Sequence, residues 1–332
     1  MQYKKLGNSE INASVIALGT WVTGGWMWGG AEEKESIEAI HASLDEGVNL
    51  LDTAPIYGFG YSEEVVGRAI KDRRDKVVLA TKCGMRWDLE KGDFFFRSDD
   101  KGASKEGDKK VYKYLGPESI REEVEKSLKR LQTDYIDLYQ THWQESITPI
   151  EDSMAELVKL KDEGKIRAIG VSNATPEHME KYRAVGEIIS DQEKYNMFQR
   201  KIEDQGNTEY CDKNNIAILA YSPIAQGLLT GKFSKDAKFR EGDVRNNSPL
   251  FTPENIAKTN QMLDDFIPIA KEYGVSTLQL SLAWTFHQKG ITHLLCGARN
   301  VEQAKDNAKA GSVTLNNDLI KSINNIFNKY FG

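Results

Sequence analysis

Residues 77–82 read VVLATK: four apolar positions, a threonine, and a lysine where the run stops. A run this short, β-branched at its start and lacking polar alternation, has the character of a strand buried on both faces, as in a parallel sheet. Six other runs share the form: IALGT (16–20), VNLLDT (48–53), IDLYQTH (136–142), IRAIGVSN (166–173), IAILAYS (216–222) and HLLCGAR (293–299). VGEIISDQ (185–192) is a fainter eighth, ending at Gln192. Between the runs, residues recur at helical spacing, as in Ser36, Ile37, Ile40 and Leu44, in Ile120, Val124, Leu128 and Leu131, and in the amphipathic stripe of Met154, Leu157, Val158 and Lys161. Eight alternations of strand and helix imply a (β/α)8 TIM barrel, because repeated right-handed crossovers around a closed sheet leave no exposed edge. Active sites in that architecture gather at the carboxyl ends of the strands. Here those ends carry Asp52, Lys82 and His142, with Tyr57 just beyond Asp52.

Length and composition agree. The 332 residues suit one barrel of ~250 residues with insertions, spanning 1–332, better than two independent domains. A formal net charge of −6, with no uninterrupted basic run, argues against nucleic acid as a partner. Cys83, Cys211 and Cys296 are odd in number and lack CxxC spacing, which points to reduced thiols in the cytoplasm and to no metal site. The start MQYKKLGNSEINASVIALG has no sustained apolar core, and no window reaches membrane-helix length, so no membrane association is expected.

Two connections run long. Residues 86–116, with the aromatic trio Phe94, Phe95 and Phe96, are expected to cap a pocket, with an anchoring role for the trio weighing equally. Residues 227–254 mix glycine turns with Lys232 and Arg245 and are suited to fold over an anionic ligand. The C-terminal NNDLIKSINNIFNKYFG reads as a helix packed on the barrel. His41, His178, His287 and His293 fall away from the strand ends that matter and read as structural or solvated.

Taken in order, ALGTW (17–21), LDTAPIYGFGYSEEVVG (51–67), ATK (80–82), RLQTDYIDLYQTHW (130–143), GKIRAIGVSN (164–173), YSPIAQGLLTGK (221–232) and GARNVEQAKDN (297–307) resemble the aldo-keto reductases over essentially the whole chain. The likeness is greatest to bacterial general-stress and inositol-cluster members, and extends to potassium-channel β-subunits. It implies a catalytic tetrad of Asp52, Tyr57, Lys82 and His142, whose chemistry is also arguable on its own terms. Hydride addition to a carbonyl leaves charge on oxygen, which needs a proton, and Tyr57 is the candidate acid. A phenol with a pKa of ~10 exchanges protons poorly near neutrality unless a cation, here Lys82, stabilises the phenolate. Asp52 keeps a buried Lys82 charged, and His142 can donate a hydrogen bond to the carbonyl oxygen.

Such a tetrad needs a hydride donor, and no GxGxxG or P-loop is present; GGWMWGG (24–30) lacks both spacings and reads as a loop beside the substrate pocket. The resemblance implies a nicotinamide cofactor held without a Rossmann domain. It places Thr20, Trp21 and Asp52 near the cofactor, Ser172, Asn173 and Gln192 on the carboxamide, and Tyr221 on the ring. The backbone of Ser222, Pro223, Gly227 and Leu228 follows the pyrophosphate, with Lys232 and Arg245 supplying charge. In the last motif, Gly297 and Arg299 precede a helix, so Arg299 can clamp a phosphate, with Gln303 and Asn307 reaching the adenosine. This favours NADP (NADPH) over NAD.

The pattern departs from the family at Trp143-Gln144, where proline is usual, and at Ala174, where an aromatic is common; both changes are expected to widen or repolarise the pocket. Trp21, Trp26, Trp28, Tyr57 and Trp143 are its expected walls, suited to a sugar or an aryl aldehyde. The leading reading is an NADPH-dependent reductase of aldehydes, including small sugar aldehydes. Two others stand beside it: an NADP-sensing regulatory subunit, and a metal-dependent barrel hydrolase, against which the chain has no HxH pair or other strand-end histidine cluster.

Overall fold

Eight parallel strands close into a barrel in the computed structural model, which describes residues 1–30, 32–98 and 107–332. In chain order the strands are β1 (Tyr3–Lys5), β2 (Asn12–Ser14), β3 (Ile16–Gly19), β4 (Leu50–Asp52), β5 (Val78–Cys83), β6 (Met85–Arg86), β7 (Asp93–Arg97), β8 (Lys110–Lys113), β9 (Ile136–Thr141), β10 (Ile166–Ser172), β11 (Ser190–Lys194), β12 (Ala217–Tyr221) and β13 (Ile291–Gly297). The barrel runs β3-β4-β5-β9-β10-β11-β12-β13 and returns to β3, with Gly297 beside Gly19 and Gly19 beside Asp52. The fainter eighth run is thus a strand, Ser190–Lys194, ending two residues later than expected. The helices include Glu33–Asp45, Tyr61–Ile70, Pro117–Leu131, Ile150–Asp162 and, at the C-terminus, Asn317–Phe331. Their apolar stripes pack on the outward residues of the strands, giving one large cluster that includes Ile40, Leu51, Leu79, Leu157 and Ile218.

The alternation of a strand sends every second side chain inward. Ala17, Leu50, Ala80, Leu138, Ala168, Leu219 and Leu295 fill the lower barrel as a separate apolar cluster. One layer up, the same parity turns Asp52, Lys82, Gln140, Ser172, Gln192 and Tyr221 toward the axis. A feature absent from the sequence reading closes the other end: β1 and β2 form an antiparallel hairpin whose Leu6 and Ala13 join the inner cluster. No helix among the described residues is long and apolar enough to cross a membrane.

Of the two readings open for His293, structural or solvated, the fold has the structural one: it is fully buried, with its Nδ1 2.9 Å from the Thr292 hydroxyl. Burial lowers its imidazole to about 4. Only the unfolded chain then takes this proton as pH falls below about 6.5, so stability present above that value is lost down to about 4, by about 3 kcal/mol. Urea unfolding midpoints of the wild type and His293→Gln, compared from pH 7 to 4, should converge toward acid; parallel curves would remove His293 from the acid lability.

The excursion after β5 is partly ordered structure. β6, β8 and β7 form a small antiparallel sheet, while residues 99–106 of the 86–116 stretch lie outside the described residues. Phe94 is 55% exposed on the outside of this sheet, whereas Phe95 and Phe96 turn inward.

Candidate active site

Lys82 lies wholly buried at the top of β5, and its Nζ donates to both Asp52 oxygens at 3.0 and 2.8 Å and to the Thr53 carbonyl at 2.9 Å. The Tyr57 hydroxyl stands 3.3 Å away on the remaining side. His142 follows β9, its ring edge-on to that of Tyr57 with centroids 5.9 Å apart. The four residues named from the strand ends are therefore one constellation at the carboxyl rim. Asp52 is held further: Gln192 donates to its Oδ1 at 2.8 Å and Gln140 approaches the same oxygen at 3.5 Å. Gln192 thus offers its carbonyl, rather than its amide nitrogen, to a ligand.

Burial dominates the electrostatics. It pushes the Tyr57 phenol well above its ordinary range, with the Asp52 charge adding to the effect. The expectation that Lys82 would lower this phenol is not met: with Lys82 3.3 Å away, burial still holds it above its ordinary range. Burial also lowers Lys82, opposed by Asp52, and holds His142 well below its usual value with help from Lys82. At neutral pH Tyr57 therefore carries its proton and His142 is uncharged, so each can donate a neutral hydrogen bond.

The Tyr57 loop is braced by close backbone approach. A Cβ on Gly24 would sit 2.5 Å from the Tyr57 carbonyl carbon, and one on Gly58 would sit 2.4 Å from the Gly24 oxygen. The two glycines let the loop after β3 lie directly on the loop after β4.

Two cavities meet at this constellation, sharing Trp21, Tyr57, Tyr221, Ser222 and Gln226. One, of about 440 Å³, extends past Pro223, Gly227, Lys232, Arg245, Gly297, Arg299, Gln303 and Asn307, and Asp52 lies at its inner end. This is most of the expected cofactor set in one groove. The other, of about 690 Å³, is walled by Trp21, Trp26, Phe95, Phe96, His142 and Trp143, with Ser172, Asn173 and Gln192 at its base. Asn173, at a left-handed φ of 54°, donates to the His142 carbonyl at 3.0 Å and accepts from the Tyr221 hydroxyl at 2.9 Å.

The Leu228 side chain packs in the core, because the chain turns through left-handed conformations at Gln226 and Gly227, whereas the expectation there was for its backbone. Several expected residues fall elsewhere. Thr20 is buried beneath the site, where its hydroxyl donates to the Asp52 carbonyl and accepts from Ser62. Trp28 lines the first groove rather than the second cavity; positive φ angles at Gly25, Met27 and Gly29 reverse the loop between Trp26 and Trp28. Arg245 reaches the groove already paired with Asp243 at 2.6 Å. Arg299 has no ion pair among the described residues; it donates to the Trp28 carbonyl at 2.8 Å. Gln144 does not repolarise the cavity: it donates to the Ser172 carbonyl and accepts from Tyr182, tying the loop down. Ala174 is likewise buried, away from the cavity. No three His, Cys, Asp or Glu side chains among the described residues are grouped to hold a metal ion.

A parallel barrel with this constellation at its carboxyl rim defines a class, and comparison agrees: the model of the Aldo/keto reductase family matches residues 15–328, and the chain belongs to that family. It is 41% identical over 329 residues to the aldo-keto reductase YhdN of Bacillus subtilis, covering 98% of this chain and 93% of that one. It is also 41% identical over 316 residues to the NADH-specific methylglyoxal reductase of Escherichia coli, covering 93% of each. Among solved structures, the glycerol dehydrogenase of Gluconobacter oxydans superposes with a TM-score of 0.87 at 38% identity, covering 99% of this chain and 96% of that one. The protein is thus an oxidoreductase of the aldo/keto reductase family, built on a (β/α)8 barrel.

Proposed function

We propose that this chain reduces aldehydes, small sugar aldehydes included, to alcohols with NADPH, acting in the cytoplasm as a one-domain barrel. The observation carrying the reading is the Lys82 ammonium, held between Asp52 at 2.8 Å and the Tyr57 hydroxyl at 3.3 Å where two cavities meet.

A bound reduced nicotinamide supplies the hydride. Tyr57 donates its proton to the carbonyl oxygen, Lys82 stabilises the phenolate so formed, and solvent returns the proton. Asp52 keeps Lys82 charged. Neutral His142 donates to the carbonyl oxygen and fixes its direction. Tyr221, Asn173, Ser172 and the carbonyl of Gln192 orient the nicotinamide end. Because burial raises the Tyr57 phenol, the acid stays protonated through neutral and mildly alkaline pH, which suits reduction.

The choice of NADPH rests on Arg299. Its guanidinium lines the groove beside a helix N-terminus at Asn300 and is free of a carboxylate partner among the described residues, as a 2′-phosphate requires. The Escherichia coli relative, named for NADH, makes this a test rather than a formality. Loss of reduced-nicotinamide absorbance with a panel of aldehydes should be faster with NADPH than with NADH. Arg299→Ala should weaken NADPH about tenfold or more while changing NADH little. Equal loss for both would mean that Arg299 does not read the 2′-phosphate.

A further inference from the structure

The substrate cavity contains a cation with no partner among the described residues. Lys194 ends β11, two residues beyond Gln192, and so shares its inward parity and stands above it at the rim. Its side chain is half-buried in the cavity wall, and no hydrogen bond or ion pair to another described residue reaches its ammonium. Burial alone lowers its pKa, with no carboxylate offsetting the effect. The other charged group of that wall, Asp243, is bound by Arg245 at 2.6 Å. Lys194 borders the substrate cavity and not the groove that leads to Arg299.

An ammonium taken partly out of water without a counter-charge is unfavourable, and such groups are ordinarily paired. The pairing can come from a ligand. We infer that Lys194 selects carbonyl substrates carrying an anionic group, a carboxylate or a phosphate, at the end remote from the aldehyde. The aromatic walls then enclose the connecting carbons while Tyr57 and His142 take the carbonyl. This rests on the reductase reading and specifies its substrate class.

Steady-state kinetics with para-carboxybenzaldehyde and its neutral methyl ester, in the wild type and in Lys194→Met, tests the inference. Methionine keeps an unbranched stem of similar reach and drops the charge. Lys194→Met should raise KM for the carboxylate by about tenfold, with kcat little changed and the ester unaffected. Lys194→Arg should restore most of the loss. The same comparison between glyceraldehyde 3-phosphate and glyceraldehyde places phosphate inside or outside the class; a charge-specific loss in either series supports the role. Equal effects on charged and neutral partners in both series, or none, would overturn it. So would a weaker NADPH titration in Lys194→Met, because the residue would then serve the cofactor. If the wild type turns over no aldehyde, charged or neutral, the reductase reading has failed separately. Quenching of tryptophan fluorescence by the unreactive para-carboxybenzoate then still tests Lys194: weaker binding to Lys194→Met supports the anion site, and equal binding rejects it.

Discussion

Tyr57→Phe is expected to lower turnover of every aldehyde by about a hundred- to ten-thousand-fold, the range for removing a positioned acid. Cofactor binding should hold within about twofold. The two effects separate because the hydroxyl has one neighbour of consequence, Lys82 at 3.3 Å, while the ring keeps its stacking on Trp21 at 6.1 Å. Losing one neutral hydroxyl of this kind costs about 1 kcal/mol of stability, so folding is not in question. Fluorescence titration with NADPH beside a turnover assay reads both quantities. Retained turnover would transfer the proton to another donor and remove the proposed role of Tyr57. A pH profile sharpens the test: the raised phenol predicts reduction rates that stay level through mildly alkaline pH.

The Asp52–Lys82 pair should show a different signature, one of stability as well as rate. Both groups are buried, and together with Thr53 they satisfy the ammonium completely. Asp52→Asn leaves Lys82 beside neutral oxygens, and Lys82→Met leaves a buried carboxylate served only by Gln192 and Gln140. Each single change should cost about 3–5 kcal/mol, the usual penalty for stranding one member of a buried pair. The double variant Asp52→Asn/Lys82→Met should recover much of that loss while remaining inactive. Denaturant midpoints for the four proteins would decide it. Strictly additive losses would show that the two residues are energetically independent, contrary to their 2.8 Å contact.

Much of this site was legible before the fold was seen, for a definite reason. Parallel barrel strands are apolar on both faces, so the polar residue that stops each run marks the rim, and Asp52, Lys82 and His142 were found that way. What escaped lacks such contrast. The β1–β2 hairpin has strands of three residues with no apolar run to mark them, and only Leu6 and Ala13 reveal its plug function. Trp26 and Trp28 are indistinguishable in sequence, and the backbone reversal through Gly25, Met27 and Gly29 sends one to each cavity. Lys194 was missed because DQEK looks like a solvated charge cluster, although the signal was present: two residues beyond Gln192 on one strand is the same face.

The closure of the barrel between β13 and β3 has a consequence for how the chain reaches this state. Leu18 pairs with Cys296, so the last seam joins positions nearly three hundred residues apart. Until Ile291–Gly297 has been synthesised, β3 and β12 are both open edges, each a template for a wrong partner. Chains interrupted before Ile291 should therefore accumulate as aggregating, open seven-stranded barrels, and the slow step of maturation should be the arrival of this late strand beside the first.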